Sequence, residues 1–171
     1  MRLEALLEKD KSAIVHEWFD MAVDMYPAEG AQFLKQQNEA FANPVGHATR
    51  KGLAALFQAL LDDMNREALA SVLDPIIRIR AIQAFTPSQA TGFILFLKAV
   101  IRKKMENHRG DWQLLEELLR FESKIDTLNA IAFDVYMSCR EKLYEIKANE
   151  EKSSTFSAFK RAGLVDDGEN P

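Results

Sequence analysis

Residues 74–104, which read DPIIRIRAIQAFTPSQATGFILFLKAVIRKK, decide the fold class of this chain. Thr86 and Gln89 stand at the spacing of a capping box, and Pro87 suits the first position of a helix. Apolar side chains follow this start signal at helical spacing: Ala90, Phe93, Ile94, Leu97, Val100 and Ile101. We therefore predict a helix that begins at Pro87 and is broken at Gly110.

The same helical spacing extends over almost the whole chain, and no alternating strand pattern interrupts it. Asn43 before Pro44, Asp74 before a second proline, and Asp111 are all predicted N-caps. Predicted helices cover residues 3–26, 29–41, 67–73 and 75–84, with others starting at 44 and 112. We predict an all-α helical bundle with a long C-terminal helix. The domain is expected over residues 1–147, and a flexible tail over residues 148–171.

Composition bounds the class of protein before any motif is considered. The chain has 171 residues, of which 47% are hydrophobic, and a net charge of -4. These values are typical of one globular domain and give no reason to expect nucleic acid as a partner. The charged N-terminal residues do not resemble a secretory signal, and the apolar runs are too short for a membrane span. We expect a cytoplasmic protein.

Two arginines inside an isoleucine run are the most unusual polar feature of the sequence. On a helical wheel, Arg78 and Arg80 point to opposite sides, and Arg80 falls between Ile76 and Ile77. One arginine is then free to face solvent, whereas the other must be at least partly buried. A buried guanidinium is costly unless it has a partner.

The predicted last helix offers such a partner, because polar residues fall inside its main apolar stripe. Our hypothesis is that Arg80 pairs with Glu122 or Asp126, with Gln83 and Asn129 nearby. Two interpretations of this buried polar cluster are open. It is either a structural ion pair that fixes helix register or the floor of a small-ligand pocket.

The last helix also carries a second apolar strip beside its main stripe. A helix of a small domain needs only one buried face, so the second strip predicts another contact, most simply with a symmetric partner subunit. The predicted dimer or partner surface consists of Phe121, Leu128, Ile131, Val135 and Ile146.

No catalytic or metal-binding motif is recognisable. His16, His47 and His108 lie on different predicted elements without metal-ligand spacing, and Cys139 is the only cysteine. Glycine-rich phosphate loops and nucleophile elbows are missing from the sequence. The basic stretch IRKKMENHR fits a solvated helix end, where cations complement the helix dipole. We expect no enzymatic activity, no cofactor and no metal site.

Residues 74–104, together with FANPVGHATRKGLAALF at residues 41–57, resemble a known family. It is the N-terminal sensor domain of stressosome co-antagonists, of the RsbRD N-terminal type, and the resemblance covers residues 3–146. The resemblance implies a globin-like, all-helical fold that binds no haem and dimerises. It also implies that the domain receives a signal and passes it along its terminal helix.

Proteins of this kind continue into a STAS domain, whereas this sequence ends at Pro171, shortly after the predicted long helix. We therefore expect a stand-alone module. The expected function is non-enzymatic regulation through protein–protein contacts, as a dimer, with an unidentified small-molecule signal. One alternative is an accessory or scaffold subunit of a larger complex, for example in energy metabolism. Another is a true sensor of haem or of a small ligand.

Overall fold

The computed structural model describes residues 2–36, 41–83, 85–108 and 110–164. Within these ranges every regular element is helical, which confirms the predicted all-α fold and its long C-terminal helix. The elements are α1 Arg2–Lys9, α2 Lys11–Val23, α3 Ala28–Gln36, α4 Pro44–Leu61, α5 Arg66–Ile82, α6 Pro87–Gly92, α7 Phe96–Lys104, a 3₁₀ turn Glu106–His108, and α8 Trp112–Arg161.

The chain divides into two compact units, Met1–Tyr136 and Met137–Pro171. The first unit contains α1 to α7 and the first half of α8, and it holds a large apolar core. Each fully buried large side chain of that core contributes about 1.5–3 kcal/mol of burial free energy. The largest of these side chains are Trp18, Phe19, Phe57, Phe93, Leu53, Leu56 and Leu60. The predicted limits, 1–147 for the domain and 148–171 for the tail, remain a prediction.

The predicted first helix is divided in two at Asp10. Asp10 has φ -97° and ψ 6°, outside the helical values, and separates α1 from α2. Leu3 and Leu7 of α1 and Trp18 of α2 are all buried. Both helices therefore bury an apolar face on either side of the break.

Asn43 links two helices, as well as capping one. Its side-chain oxygen accepts a hydrogen bond from the Gly46 amide at 2.8 Å, which confirms the predicted N-cap of α4. Its amide nitrogen donates to the Leu34 carbonyl of α3 at 3.1 Å. A Cβ atom at position 46 would collide with the Asn43 side chain, so a larger residue there would displace this cap.

The predicted capping box at the start of α6 is confirmed. The Thr86 hydroxyl accepts from the Gln89 amide, and the Gln89 side chain accepts from the Thr86 amide. Asp111 is likewise confirmed as a cap, because its carboxylate accepts from the Leu114 amide in the first turn of α8. Polar residues at these positions thus end up where the helix leaves amides without internal partners.

Helix α5 runs through Pro75, whereas the sequence predicted two short helices meeting there. That prediction is wrong because burial outweighs the proline. A proline inside a helix removes one hydrogen bond and costs about 3 kcal/mol. Leu73, Ile76 and Ile77 are buried on both sides of it and hold the helix together.

The helix predicted to run on from Pro87 is interrupted between Gly92 and Phe96. The amides of Ile94 and Leu95 bond to carbonyls three residues back, at 3.1 and 3.0 Å, which tightens the chain into a turn. The carbonyl of Phe93 within this turn accepts the indole N–H of buried Trp18 at 2.7 Å. The interruption therefore ties α2 to the segment between α6 and α7.

The second unit contains the last part of α8, which is helical to Arg161. Residues 148–161 are therefore helical, although the sequence predicted that the tail begins at 148; flexibility of this stretch stays a prediction. Gly163 adopts φ +70°, and the amides of Gly163 and Leu164 bond to the carbonyls of Lys160 and Phe159. This is a Schellman motif, which explains why the helix ends at a glycine.

Candidate functional site

Arg80 lies in the core of the first unit, with only 1% of its surface exposed. Arg78 is exposed and pairs with Asp74 at 2.7 Å. The wheel prediction that one arginine faces solvent while the other is buried is therefore confirmed.

Two helix ends and the sulfur of Met25, which accepts from Nη1 at 3.6 Å, supply the hydrogen-bond partners of Arg80. Its Nη2 donates to the Ala22 carbonyl at 2.9 Å, and its Nη1 donates to the Gln89 carbonyl at 3.2 Å. Both carbonyls lie in the last turns of their helices, α2 and α6, where carbonyls lack internal partners. A cation at the C-terminus of α2 also complements the helix dipole.

Three aromatic rings complete the surroundings of the guanidinium. Its carbon lies 4.4 Å from the ring centre of Phe93 and 5.4 Å from those of Tyr26 and Phe85. Tyr26 and Phe85 also contact each other edge to face, at 5.1 Å between ring centres. Each cation–π contact in a desolvated site contributes up to about 2 kcal/mol, which offsets part of the cost of burying the charge.

Burial shifts the pKa values of Arg80 and Tyr26 in the directions that favour the neutral form of each group. Desolvation lowers the pKa of Arg80, an effect that the nearby Tyr26 opposes. Desolvation raises the pKa of Tyr26, and the charge and hydrogen bond of Arg80 oppose that shift. The arrangement holds two helix ends and three rings around the guanidinium, whose Nε is buried without a hydrogen-bond partner among the described residues.

The predicted pairing of Arg80 with Glu122 or Asp126 is wrong. Glu122 is buried, but it accepts two hydrogen bonds from Arg102, from Nε at 2.6 Å and from Nη2 at 2.7 Å. Asp126 is exposed and pairs with Lys98 at 2.6 Å. Both acids of α8 therefore pair with cations of α7, because α7 and not α5 presents its basic residues to that face.

The remaining members of the predicted polar cluster do not join Arg80 either. Gln83 is exposed and ends α5 as its C-cap residue. Asn129 is half-buried, and its side-chain oxygen is buried without a hydrogen-bond partner among the described residues. The five predicted residues thus do not form one buried cluster, and a ligand pocket built from them is no longer proposed.

The predicted dimer surface needs a similar correction. Phe121, Leu128 and Ile131 are buried in the first unit, with at most 3% of their surface exposed. Val135 is half-buried, and only Ile146, in the second unit, is exposed. The strip read as additional is thus a large part of the face that α8 packs into the core.

In the first unit, the large apolar side chains of α8 that remain exposed lie on the other apolar face of the helix. Within the first unit they include Trp112, Leu115 and Leu119, with exposed fractions of 70%, 53% and 58%. Their spacing of three and then four residues places them on one side of the helix. We call these three residues the apolar stripe.

The histidines are not gathered into a metal site. His16 and His47 are exposed, as predicted, and His108 is half-buried at the end of the 3₁₀ turn. Over the described ranges, no group of three or more His, Cys, Asp or Glu side chains is arranged to hold a metal ion. None of the helices in these ranges combines the length and apolar character needed to cross a membrane.

Fold and site together define an all-α domain whose distinctive features are a buried, ring-enclosed arginine and an exposed apolar stripe. The model of the RsbT co-antagonist protein rsbRD N-terminal domain matches residues 12–150, and the chain belongs to this family of stressosome-related regulatory sensor domains. An uncharacterized protein of Archaeoglobus fulgidus is 24% identical over 149 residues, covering 84% of this chain and 86% of the relative. No solved structure matches the chain.

The ion pair between Arg102 and Glu122 is the feature that the sequence did not reveal. The sequence predicts that Arg102 belongs to a solvated helix end, which is half correct because its side chain is 61% exposed. The signal in the sequence that could have revealed this pair is the position of Glu122, because a carboxylate on the buried face of a helix requires a cation. Choosing between Arg80 and Arg102 required the direction in which α7 crosses α8, and a single sequence does not contain it.

Proposed function

We propose that this chain is a regulatory, sensor-like module that acts through protein–protein contacts and does not catalyse a reaction. Its membership of the RsbRD N-terminal family supports regulation. The apolar stripe supports contact-based action, because exposed large apolar side chains on one helix face are typical of interaction sites. The stripe is the observation on which the proposal depends.

The proposed occupant of the stripe is a second copy of the same chain. Glu116 and Arg120 flank the stripe, both exposed and paired with each other. If two α8 helices cross antiparallel about a two-fold axis near residue 118, Glu116 of each copy faces Arg120 of the other. Such a self-complementary arrangement suits a symmetric dimer, in which the same patch is used twice.

The proposal includes a globin-like fold without haem and a cytoplasmic location. The family resemblance supports the fold and the location. His16 and His47 are exposed, which disfavours each of them as a haem ligand. Absorbance spectroscopy of the purified protein with added haemin tests this point. A haem-free module leaves the spectrum of free haemin unchanged, whereas a shifted Soret band would overturn that part of the proposal.

Affinity purification from native cells separates regulation from a scaffold role. A regulatory module is expected to retain partners in amounts that change with growth conditions. A permanent complex of fixed stoichiometry, unchanged across conditions, would contradict the proposal and favour an accessory subunit of a larger assembly. Two variant baits identify proteins that bind non-specifically. Leu119→Lys disrupts the stripe, and Ile82→Lys alters an exposed apolar residue of α5 as the matched control. Proteins retained equally by both baits do not depend on the stripe.

A further inference from the structure

A cavity of about 330 Å³ lies between the end of α7, the 3₁₀ turn and the beginning of α8. This volume is at the lower end of the range of small-molecule sites, about 300–1,000 Å³. All of its lining residues belong to the first unit. It is separate from the cluster around Arg80, which lines no part of it.

The floor of the cavity is apolar. Met105, Leu114 and Leu118 line it, and each is at least nine-tenths buried. Ala99 lines it as well but is exposed, so this residue lies where a larger side chain would fill the space without disturbing the core. Such a floor favours an apolar body on any ligand that binds.

The rim of the cavity carries hydrogen-bond donors that are held in place by acids outside the cavity. Arg102 is fixed by Glu122, and Lys103 donates to Glu17 of α2 at 2.6 Å. A guanidinium has five N–H donors and an ammonium has three, so both groups keep donors beyond those that these contacts use. The two cations are therefore positioned in advance to receive an acceptor.

His108 adds an unsatisfied group to the same rim. Its Nδ1 is buried and has no hydrogen-bond partner in the described part of the chain. Because this nitrogen is closed to solvent, it is not itself open to a ligand in the cavity, and only other atoms of the ring line the rim. Glu106 also lines the cavity, so a negatively charged head group belongs on the Arg102 side, where the charge of Glu122 is already matched.

We propose that this cavity binds a small apolar molecule with a carboxylate head group. The apolar body lies on Met105, Leu114 and Leu118, and the carboxylate accepts from Arg102, with Lys103 and His108 nearby. Donors outnumber acceptors on the rim, which favours a carboxylate over an amine. Charge-assisted hydrogen bonds of this type are about twice as strong as neutral ones.

Leu115 connects the cavity to the proposed function, on which this second step rests. It lines the cavity and is also the central residue of the apolar stripe. A ligand that contacts Leu115 changes the stripe that a second copy would bury. Thermodynamic linkage then requires that ligand binding shift dimerisation and that dimerisation shift ligand affinity by the same factor.

The test uses 4-phenylbutyrate as the probe, with 4-phenylbutanol and 4-phenylbutylamine as neutral and cationic counterparts of the same shape. Methyl NMR of the full chain follows the signals of Met105, Leu114 and Leu118 during titration. We expect the carboxylate to shift these signals with a Kd below about 1 mM and to bind at least about tenfold more tightly than either counterpart. Equal binding of the amine, or no shift of these methyl groups, would overturn the site.

Two variants test the assignment, and alcohol binding by Arg102→Gln shows that this variant remains folded. Ala99→Phe fills the cavity from an exposed position and should abolish the methyl shifts, whereas an unchanged Kd would contradict the assignment. Arg102→Gln should reduce carboxylate affinity at least about tenfold while leaving alcohol affinity unchanged. An unchanged preference for the carboxylate would show that Arg102 does not hold the head group.

Sedimentation velocity with and without 4-phenylbutyrate tests the coupling separately. A ligand-dependent change in the dimer fraction supports it, and binding without such a change overturns the coupling but supports the site. Leu119 does not line the cavity, so Leu119→Lys should remove the dimer and keep ligand binding. A wild-type chain that binds the probe as a monomer would overturn the proposed dimer while leaving the cavity assignment intact.

Discussion

Arg80 lies over the ring of Phe93, with 4.4 Å between the guanidinium carbon and the ring centre, and almost none of the arginine is exposed. The buried charge pairs with no carboxylate among the described residues. Helix-end carbonyls and aromatic faces replace it, so the arginine connects α2, α5 and α6 in the core of the first unit.

Replacing Arg80 with methionine should lower the free energy of unfolding by about 1–3 kcal/mol. The substitution removes the cost of burying a charge, but it leaves the carbonyls of Ala22 and Gln89 without a donor. Urea unfolding measures the difference. Arg78→Met, two residues away on an exposed position, should cost less than about 0.5 kcal/mol, and equal losses for the two variants would contradict this account.

Tyr26 should make the protein less stable at high pH. Burial raises its pKa above the ordinary value of 10.0, so the unfolded chain loses this proton before the folded chain does. Stability contributed by Tyr26 is therefore complete below about pH 10 and is lost as the pH rises above that value. Unfolding midpoints measured across this range should fall less steeply for Tyr26→Phe than for the wild type. Tyr144→Phe, at an exposed position, is the matched control.

Removing Arg102 should destabilise the protein through the carboxylate that it leaves behind. Because Glu122 is buried, Arg102→Met is expected to lower the free energy of unfolding by about 1–2 kcal/mol. The loss stays this small because the Arg102 side of the pair is exposed, so water can reach the carboxylate once the guanidinium is removed. The double variant Arg102→Met with Glu122→Met should regain most of this loss, because no unpaired charge remains. Chemical denaturation of the four combinations gives the coupling energy. Strictly additive losses would show that the pair makes no net contribution.

The hydrogen bond from Trp18 to the Phe93 carbonyl should be measurable in stability and in fluorescence. Trp18→Phe removes a buried donor and is expected to cost about 1–3 kcal/mol, since the carbonyl is left without a partner. Trp112→Phe is the matched control, because Trp112 is 70% exposed, and it should cost little. With Trp18 alone remaining, emission should be blue-shifted; emission typical of an exposed indole would contradict the burial of Trp18.

Local signals in the sequence predicted local structure well. Asn43, Thr86 and Asp111 all cap helices as expected, because each cap depends only on residues within one turn. Helix interruptions were less predictable. The break at Asp10 and the continuation through Pro75 depend on what the core buries, which is a property of the whole fold.

The two faces of α8 show why the candidate site could not be predicted in full. Phe121 and Leu128 lie in the core, whereas Leu115 and Leu119 are exposed, although all four are equally apolar. A helix that is apolar over more than half of its circumference does not indicate which part faces the core. The neighbouring helices decide this, and they also decide which cation reaches Glu122.

Sedimentation velocity of the wild type beside Leu119→Lys and Ile82→Lys shows whether the apolar stripe forms a dimer. We expect a wild-type dimer, a monomeric but fully helical Leu119→Lys variant, and a dimeric Ile82→Lys variant, since Ile82 is 63% exposed but lies on α5. A wild-type monomer, or a dimer that survives Leu119→Lys unchanged, would contradict the claim that the apolar stripe is the surface through which this module acts.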